Sequence, residues 1–541
     1  MKQTANSNRR GYVLLIVTVT VVLLSLAAYT YTGTMTVEYD AAVMHARDAR
    51  ARMMAESAIE YAAIKIAEHT ADPSTVNLFH DSGTFRGQFI EEDPIARGQV
   101  RFSVVTPSAE AVAPRFGLSS ENGRFNINRI VEFDQDEDET TDPYTALSYL
   151  PGMTEDIANA ILDWIDSDDV RRTGGAETDD YKLLAVPYEA RNAPLESIDE
   201  LLQIQGVTPQ LFYGEDANRN GILDPNENDG DATPPLDNQD GYLDLGWRDY
   251  LTVSSREVNT MPDGAERINL NQGLMTELFD ALEPEFGEDV AKFVVAYRLY
   301  GNENADPATM ESLTVAQKDA AEAIGKAIAG GVEGTVTRAG LDLTQVPQYS
   351  FRSIYDLIDA QVPAVVDGAD VTLNSPWTSG GADLLQNMPQ LEQMLTHVDD
   401  AYLDGRVNVN EASFEVLMAL PGMTEVLADA VVAARPPVIE DGVSEAIMTT
   451  RISPTWLLAE GIVDLETLKL LGPWLTTGGD VYRFQTIGHF DQGGPTIRLE
   501  AMIDGTQNPP QLIFVRDLTP LGRGFHPAQL SNSSTSTLTV R

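Results

Sequence analysis

The chain has 541 residues and a formal net charge of −47, with 83 acidic and 36 basic side chains. A field this negative repels the phosphate backbone of nucleic acids, so nucleic-acid binding is not expected. The absence of cysteine excludes disulfide bonds and thiolate metal sites. The length allows about three to four domains, and the acidic surface favours a hard divalent cation such as calcium as counter-ion.

The first predicted element is an apolar helix near the N-terminus. Tyr12 to Tyr31 carries no charged side chain, and ~20 apolar residues are enough to cross a bilayer core. Lys2, Arg9 and Arg10 precede this stretch and would stay in the cytoplasm by the positive-inside rule. We therefore predict a membrane span at about 12–32, with the rest of the chain on the far side.

The junction before the span resembles the type IV prepilin leader. A cleaved signal peptide has its small residues after the apolar region, whereas here Gly11 precedes it and Arg-Arg-Gly-Tyr abuts the span. The resemblance implies that a prepilin peptidase cuts between Gly11 and Tyr12, with methylation of the new terminus. Most of that superfamily has glutamate at the fifth mature position, but Ile16 stands there. This departure resembles protein K of the type II secretion system; a generic single-span anchor is the alternative.

The segment after the span is rich in alanine. Its composition from Ala41 to Ala67 favours helix, so the anchor helix should continue well beyond the membrane. Small residues on such a helix suit either neighbouring helices in a filament or packing within the chain.

Five short segments have the pattern of strands. Alternation at Gln99 to Val105 predicts a half-buried strand, and a second short strand is expected at Arg115 to Leu118. Near the end of the chain, turn signals separate Tyr482 to Phe490, Thr496 to Ile503 and Gln511 to Val515. We expect these late strands to complete the sheet begun before residue 120.

The intervening region contains an internal repeat. GRFNIN (Gly123 to Asn128) is followed by LPGMTEDIANAILDWI, and GRVNVN (Gly405 to Asn410) by LPGMTEVLADAVVAA. A looser third copy begins at RINLN (Arg267 to Asn271) and lacks the Pro-Gly turn. In the first two copies Thr154 or Thr424 should cap the helix after the turn, which predicts helix-hairpin-helix units. The surrounding acidic residues oppose phosphate binding, so we interpret the units as packing modules.

The resemblance to protein K extends into this region. WIDSDD (Trp164 to Asp169), GAETDDY (Gly175 to Tyr181) and Ala190 to Pro209 are similar to the helical insertion of that family, while about Gly273 to Leu395 has no counterpart that we can place. The expected class is α+β: an N-terminal transmembrane helix continuing into a pilin-like α/β domain, split by a large, mostly α-helical insertion with helix-hairpin-helix-like repeats. The predicted bounds are leader 1–11, anchor helix 12–70, first pilin-like part 71–120, insertion 121–475 with a calcium loop at 216–244, returning strands 476–525 and disordered tail 526–541.

Residues 216–227 fit the twelve-residue EF-hand loop. Oxygen ligands are expected from Asp216, Asn218, Asn220, the carbonyl of Ile222, Asp224 and Glu227. An Asn/Asp/Gly-rich loop without a metal is the alternative. Asp237, Asp240 and Asp244 form an incomplete second loop, which could share Asp229 or Asp231. The resemblance also implies calcium (Ca²⁺) in this region, in a structural role.

No catalytic arrangement is evident. The six histidines are dispersed, and no cysteine nucleophile exists. The resemblance implies a structural protein, not an enzyme: a minor pseudopilin at the tip of the type II secretion pseudopilus, which serves export across the outer membrane. It implies a single-pass location in the bacterial inner membrane with a periplasmic head, and as partners other minor pseudopilins, the pseudopilus shaft, prepilin peptidase and the inner-membrane assembly platform. The alternative is a type IV-like pilus or DNA-uptake component whose head binds nucleic acid or surfaces.

Overall fold

The computed structural model describes residues 9–94, 98–107, 114–134, 142–304, 313, 314, 318, 323, 336–436 and 449–530. Most of the predicted leader, most of 305–335 and the predicted tail from residue 531 therefore lie outside the described residues.

Helices and strands alternate irregularly along the described chain. The helices are α1 Arg9–Ala71, α2 Ser82–Phe85, α3 Ile130–Asp134, α4 Pro143–Leu147, α5 Glu155–Ile165, α6 Thr178–Tyr181, α7 Pro209–Tyr213, α8 Trp247–Tyr250, α9 Met275–Phe286, α10 Glu288–Tyr300, α11 Gly381–Met394, α12 Phe414–Met418, α13 Glu425–Ala433, α14 Trp456–Ala459, α15 Leu465–Leu471 and α16 Pro527–Leu530. The strands are β1 Val100–Val105, β2 Ser119–Ser120, β3 Phe125–Asn126, β4 Leu251–Thr252, β5 Arg256–Val258, β6 Ile268–Asn269, β7 Thr337–Arg338, β8 Leu341–Asp342, β9 Gln361–Val366, β10 Ala369–Asn374, β11 Leu395–Thr396, β12 Tyr402–Asp404, β13 Val407–Asn408, β14 Leu475–Thr476, β15 Val481–Phe490, β16 Ile497–Asp504 and β17 Gln511–Asp517.

Helix α1 divides into an exposed half and a packed half. It is 63 residues long, and within the described residues it is the one helix long and apolar enough to cross a membrane. Every side chain from Tyr12 to Ala46 is exposed, whereas one face is buried from Ala51 onward. The predicted continuation of the anchor helix is confirmed.

An antiparallel sheet packs on the second half of α1. The strand order is β1-β15-β16-β17, with β2 also paired to β15. Four of the five predicted strands are thereby confirmed. Strand β1 pairs with β15, which lies near the other end of the chain. The buried face of α1 consists mainly of alanines, which allows a close approach: a Cβ on Gly488 of β15 would lie 1.9 Å from the carbonyl oxygen of Ala51. Sheet, helix and loop 76–85 share one hydrophobic core.

The strand predicted at Arg115 to Leu118 is wrong. Its backbone bonds to the preceding loop instead of a ladder, since the Leu118 amide donates to the Leu78 carbonyl at 2.7 Å and Phe116 accepts from the Asp81 amide at 2.8 Å. Arg115 forms only an isolated bridge with Thr106, and strand pairing begins at β2.

Two further expectations need correction. The predicted tail starts too early, because Leu530 at the end of α16 is buried and its carbonyl accepts from Ser103 Oγ at 3.0 Å. The segment at about 273–395, expected to be helical, contains the β9–β10 hairpin. Its turn residues Asp367 and Gly368 have φ of 51° and 78°, the conformation of an Asp-Gly hairpin turn.

Residues 121–475 contain three copies of one unit, so the looser third copy is confirmed. Each copy opens with a short strand and closes with a Leu-Thr strand parallel to it, in the pairs β3–β4, β6–β11 and β13–β14. Their helices share a second, larger hydrophobic core. The predicted caps are also confirmed, because Thr154 and Thr424 accept from the Ile157 and Leu427 amides at 3.3 and 3.4 Å.

In each repeat copy, an asparagine side chain forms a hydrogen bond to a backbone carbonyl of the same copy. The side-chain amide of Asn128 donates to the Leu195 carbonyl at 3.0 Å. In the same way, Asn271 donates to Phe351 at 2.8 Å and Asn410 to Arg451 at 2.9 Å. Each acceptor stands two residues before a serine, at Ser197, Ser353 and Ser453. The three copies therefore share a tertiary contact as well as a sequence pattern.

Candidate functional site

The predicted cleavage junction lies near the start of α1. The helix begins at Arg9 and continues through Gly11 and Tyr12 without a break. Nothing in the described chain covers the apolar side chains that follow, including Ile16, which is 61% exposed. An apolar surface of this length requires a bilayer or neighbouring helices.

The predicted calcium loop is folded around its first and last carboxylates. Asp216 and Glu227 are 6% and 1% exposed. Asp216 accepts from the amides of Asn220 and Gly221 at 3.0 and 2.8 Å. Gly221 has φ of 69°, a conformation that glycine adopts without strain and that the bend requires.

Glu227 closes the loop through the backbone. Its Oε1 accepts from the Ala217 amide and its Oε2 from the Asp224 amide, both at 3.0 Å. Ile222 points its side chain toward the core formed by helix α1 and the sheet. The two end carboxylates are thus held by backbone amides of the loop, and the calcium site stays a prediction.

Both end carboxylates are costly to ionise in this setting. Burial raises the pKa of Asp216 to about 6 and that of Glu227 to about 7, although backbone amides oppose the shift. A divalent cation between them would favour the ionised forms and remove the penalty. The chemistry of the donor set therefore fits calcium.

The asparagines of the loop present nitrogen where a metal needs oxygen. Nδ2 of Asn218 and of Asn220 donate to Asp224 Oδ2 at 2.5 and 3.0 Å. Asn218 Oδ1 is buried and has no hydrogen-bond partner among the described residues. A half-turn of the Asn218 amide would aim its oxygen at the point that its nitrogen now occupies. Asn218 then fits a cation, whereas Asn220 still presents nitrogen to Asp224.

The loop is fastened to the sheet. Arg498 Nη2 donates to the carbonyls of Asn218 and Arg219 at 3.1 and 3.2 Å. Gln485 Nε2 donates to the Arg219 carbonyl at 2.6 Å, and Asn220 Nδ2 to the Gly524 carbonyl at 2.8 Å. Any change in the shape of the loop is thus transmitted to strands β15 and β16.

The predicted second loop does not gather its carboxylates. Asp237 turns back to accept from the amides of Asp229 and Gly230 at 2.9 and 2.8 Å. Asp240 accepts from the Tyr242 amide at 2.8 Å, and Asp244 accepts from Asn238 Nδ2 at 3.0 Å. The Asp240 bond is that of an Asx turn, whereas the bonds of Asp237 and Asp244 join residues farther apart in the chain.

A second group of acidic residues could hold a metal ion and was not predicted. Within the described residues, Asp166, Asp168 and Glu177 are the one set of three acidic side chains with an oxygen each within 4.8 Å of the others. Asp166 Oδ1 and Glu177 Oε1 are buried and have no hydrogen-bond partner in the part of the chain that the structure describes. Burial, with the charges of Asp163 and Asp166, raises the pKa of Glu177 to about 7. WIDSDD and GAETDDY carry the signal, but their separation in sequence hid the contact.

The hairpin glycines of the repeats pack inward. Gly152 and Gly422 have φ of 68° and 71°. A Cβ on either would approach Leu211 or Leu470 to 2.5 and 2.6 Å. Tyr149 Oη donates to Glu425 Oε1 at 2.9 Å, so the copies that begin at Gly123 and Gly405 are also in contact. The hairpins therefore serve as packing modules in this arrangement.

Comparison with known proteins supports the resemblance. The family model described as Type II secretion system (T2SS), protein K, matches residues 123–213. The type II secretion system protein K of Pectobacterium carotovorum subsp. carotovorum is 33% identical over 98 residues, which are 16% of this chain and 30% of that protein. The match thus spans less than a third of the relative.

A solved structure was also compared. It is the GspK-GspI-GspJ complex from the enterotoxigenic Escherichia coli type 2 secretion system, with 11% identity, coverage of 86% of this chain and 95% of the other, and a TM-score of 0.34. That score is too low for the likeness to carry any argument. Residues 123–213, which include WIDSDD and GAETDDY, are thus similar to the type II secretion system protein K family.

Proposed function

We propose that the chain is a minor pseudopilin at the tip of the type II secretion pseudopilus, a structural assembly protein for export across the outer membrane. The observation that carries the proposal is helix α1: its first half is apolar and exposed, and its second half packs on an antiparallel sheet. The same chain contains a protein K region at 123–213. A filament subunit needs this combination of a free helix and a folded head.

The tip position is supported by Ile16 and by the size of the head. A glutamate at the fifth mature position would neutralise the terminal amine of the subunit ahead, and a tip subunit has no subunit ahead. The head beyond α1 contains two hydrophobic cores. A head of this bulk would clash with its neighbours along a tightly wound shaft.

The proposed location is the bacterial inner membrane, crossed once by α1, with the head in the periplasm. The proposed partners are other minor pseudopilins, the pseudopilus shaft, the assembly platform and prepilin peptidase. The protein acts by assembly, and we assign it no catalytic residue.

Calcium is proposed as a structural ion. The loop 216–227 supplies Asp216, Asn218, Asn220, Asp224 and Glu227 with the carbonyl of Ile222, and it lies just beyond the family match. The triad Asp166, Asp168 and Glu177 lies inside that match and is the second proposed calcium site. Bound calcium would neutralise buried carboxylates and hold the first loop against the sheet.

The mature N-terminus tests the function. We expect mass spectrometry to find a chain starting at Tyr12 in cells with prepilin peptidase and an uncut chain in cells without it. Gly11→Val should block cleavage, whereas Gly33→Ala should not, because nothing lies within 4 Å of Gly33. An uncut wild-type chain in peptidase-positive cells would reject the pseudopilin pathway.

A further inference from the structure

A small cavity lies between the loop 216–227 and the sheet. Its volume is about 40 Å³, and one water molecule needs about 10–15 Å³. It therefore has room for about three waters or for one small polyatomic ion. Four arginines line it: Arg124, Arg219, Arg248 and Arg483.

Three of these arginines use only part of their hydrogen-bonding capacity. Arg124 Nη1 and Arg483 Nη2 donate to the two oxygens of Glu121 at 2.7 and 3.0 Å. Arg248 Nη2 donates to Glu500 Oε1 at 2.7 Å. Within the described part of the chain, the other terminal nitrogen of each guanidinium makes no hydrogen bond.

Arg219 has no carboxylate partner among the described residues. Its guanidinium lies over the Tyr213 ring, 4.4 Å from the centroid. Burial and the nearby charge of Arg248 lower its pKa. Its side chain thus brings an uncompensated positive charge to the cavity wall.

The carboxylates that line the cavity are partly engaged. Glu500 Oε1 accepts from Arg248, whereas Glu500 Oε2 is buried without a hydrogen-bond partner among the described residues. Asp216 accepts backbone amides within its loop, and Asp249 faces Arg124 and Arg248 through space. The unused donors are guanidinium N–H groups, which form charge-assisted hydrogen bonds with the oxygens of sulfate and phosphate.

We propose that this arginine cavity binds a small tetrahedral oxyanion. Guanidinium N–H groups from several arginines would surround the ion, and Arg219 would supply a positive charge that forms no ion pair with a carboxylate of the described residues. The ion would connect the first repeat copy, through Arg124 and Arg248, with Arg483 of the sheet.

Sulfate is the probe, because phosphate precipitates calcium. It is titrated calorimetrically into the full-length protein in detergent, with calcium present and ionic strength held constant with chloride. We expect saturable binding to one site. Arg219→Asn should weaken it by about tenfold or more, because charge-assisted hydrogen bonds are lost.

The variants are chosen to preserve the loop. Residue 219 has φ of 60°, and asparagine and glycine both adopt this conformation readily. Arg219→Gly should therefore behave as Arg219→Asn does, with unchanged circular dichroism. Arg171→Asn, at an exposed arginine outside the cavity, should bind sulfate as the wild type does. No saturable heat in the wild type, or wild-type affinity in both Arg219 variants, would overturn the proposal and leave a water-filled ion-pair network.

Discussion

At the residue scale, the most informative side chains are buried acids with too few cationic partners. Asp216 and Glu227 are held by backbone amides, and their pKa values are raised by burial. Such groups destabilise the folded loop near neutral pH unless a cation binds. This makes calcium dependence a property of individual residues that can be measured.

Glu227→Gln should remove much of the stabilisation by calcium. An ion that binds only the folded state, at about 100 times its Kd, adds roughly 3 kcal/mol to the free energy of unfolding. Without the Glu227 carboxylate the affinity falls, so the calcium-dependent rise in Tm should shrink. The measurement is thermal unfolding in calcium and in chelator, with the exposed Glu285→Gln as control.

Thermal unfolding also distinguishes the two proposed calcium sites, the loop 216–227 and the triad. Glu177→Gln, in the triad, should reduce the calcium effect independently of Glu227→Gln, because the residues belong to different loops. An undiminished calcium effect in Glu227→Gln would reject the loop 216–227 as a site. A loss confined to Glu177→Gln would assign calcium to the triad.

His489 should make stability depend on pH. It is 1% exposed, and both ring nitrogens lack a partner within the described residues. Burial, opposed by Asp491 and aided by Arg101, lowers its pKa to about 4. The unfolded histidine titrates near 6.5, so stability is complete above that pH and falls as the pH drops toward 4. The loss attributable to this group should approach roughly 3 kcal/mol.

His489→Phe should remove that component. Phenylalanine fills a similar volume and leaves no buried polar atom unsatisfied, so the variant should be at least as stable at neutral pH. Denaturant unfolding at a series of pH values measures the effect. His45→Phe, at an exposed position of α1, should retain the wild-type pH profile. An identical acid dependence in His489→Phe would exclude this histidine as its source.

At the element scale, local signals predicted elements well and long-range pairing poorly. Alternation located strands β1 and β15 to β17, and Thr154 and Thr424 cap the expected helices. The short Leu-Thr strands that close the repeat copies were missed, because two residues carry no periodicity. Their partners lie up to ~130 residues away, and only the fold brings them together. The acidic triad was not predicted, because acidic residues are frequent along this chain and only the fold shows which of them lie together.

Gly488→Ala should loosen the contact between α1 and the sheet. The added Cβ would come within 1.9 Å of the Ala51 carbonyl oxygen, so helix or strand must shift. Overpacking of this kind costs about 1–3 kcal/mol. Denaturant unfolding should show this loss, whereas Gly478→Ala, where nothing lies within 4 Å, should be close to neutral. Equal stability of the two variants would mean that the helix is not seated on β15 as described.

At the scale of the whole molecule, the repeat copies are joined to the α1 sheet by charged contacts beside the loop 216–227. Arg248 and Glu500 form a buried ion pair at 2.7 Å, and Arg483 bonds to the fully buried Glu121. Arg516 and Asp199 add a further pair. These contacts connect the repeat copies with the strands that pack on α1. The position of the repeat copies relative to α1 is thus determined by residues far from its exposed apolar half.

Ile16→Glu tests the proposed place of the molecule in the filament. A glutamate there would attract the terminal amine of another subunit and allow this chain to enter the shaft, where its head does not fit. We expect reduced secretion when the variant replaces the wild-type protein in cells, with the cleaved protein still present in the membrane. Val17→Glu is the matched control, since it adds the same charge at the neighbouring position of the apolar helix. Equal defects in both variants would indicate a general cost of charge in the span, and normal secretion with Ile16→Glu would reject the tip assignment.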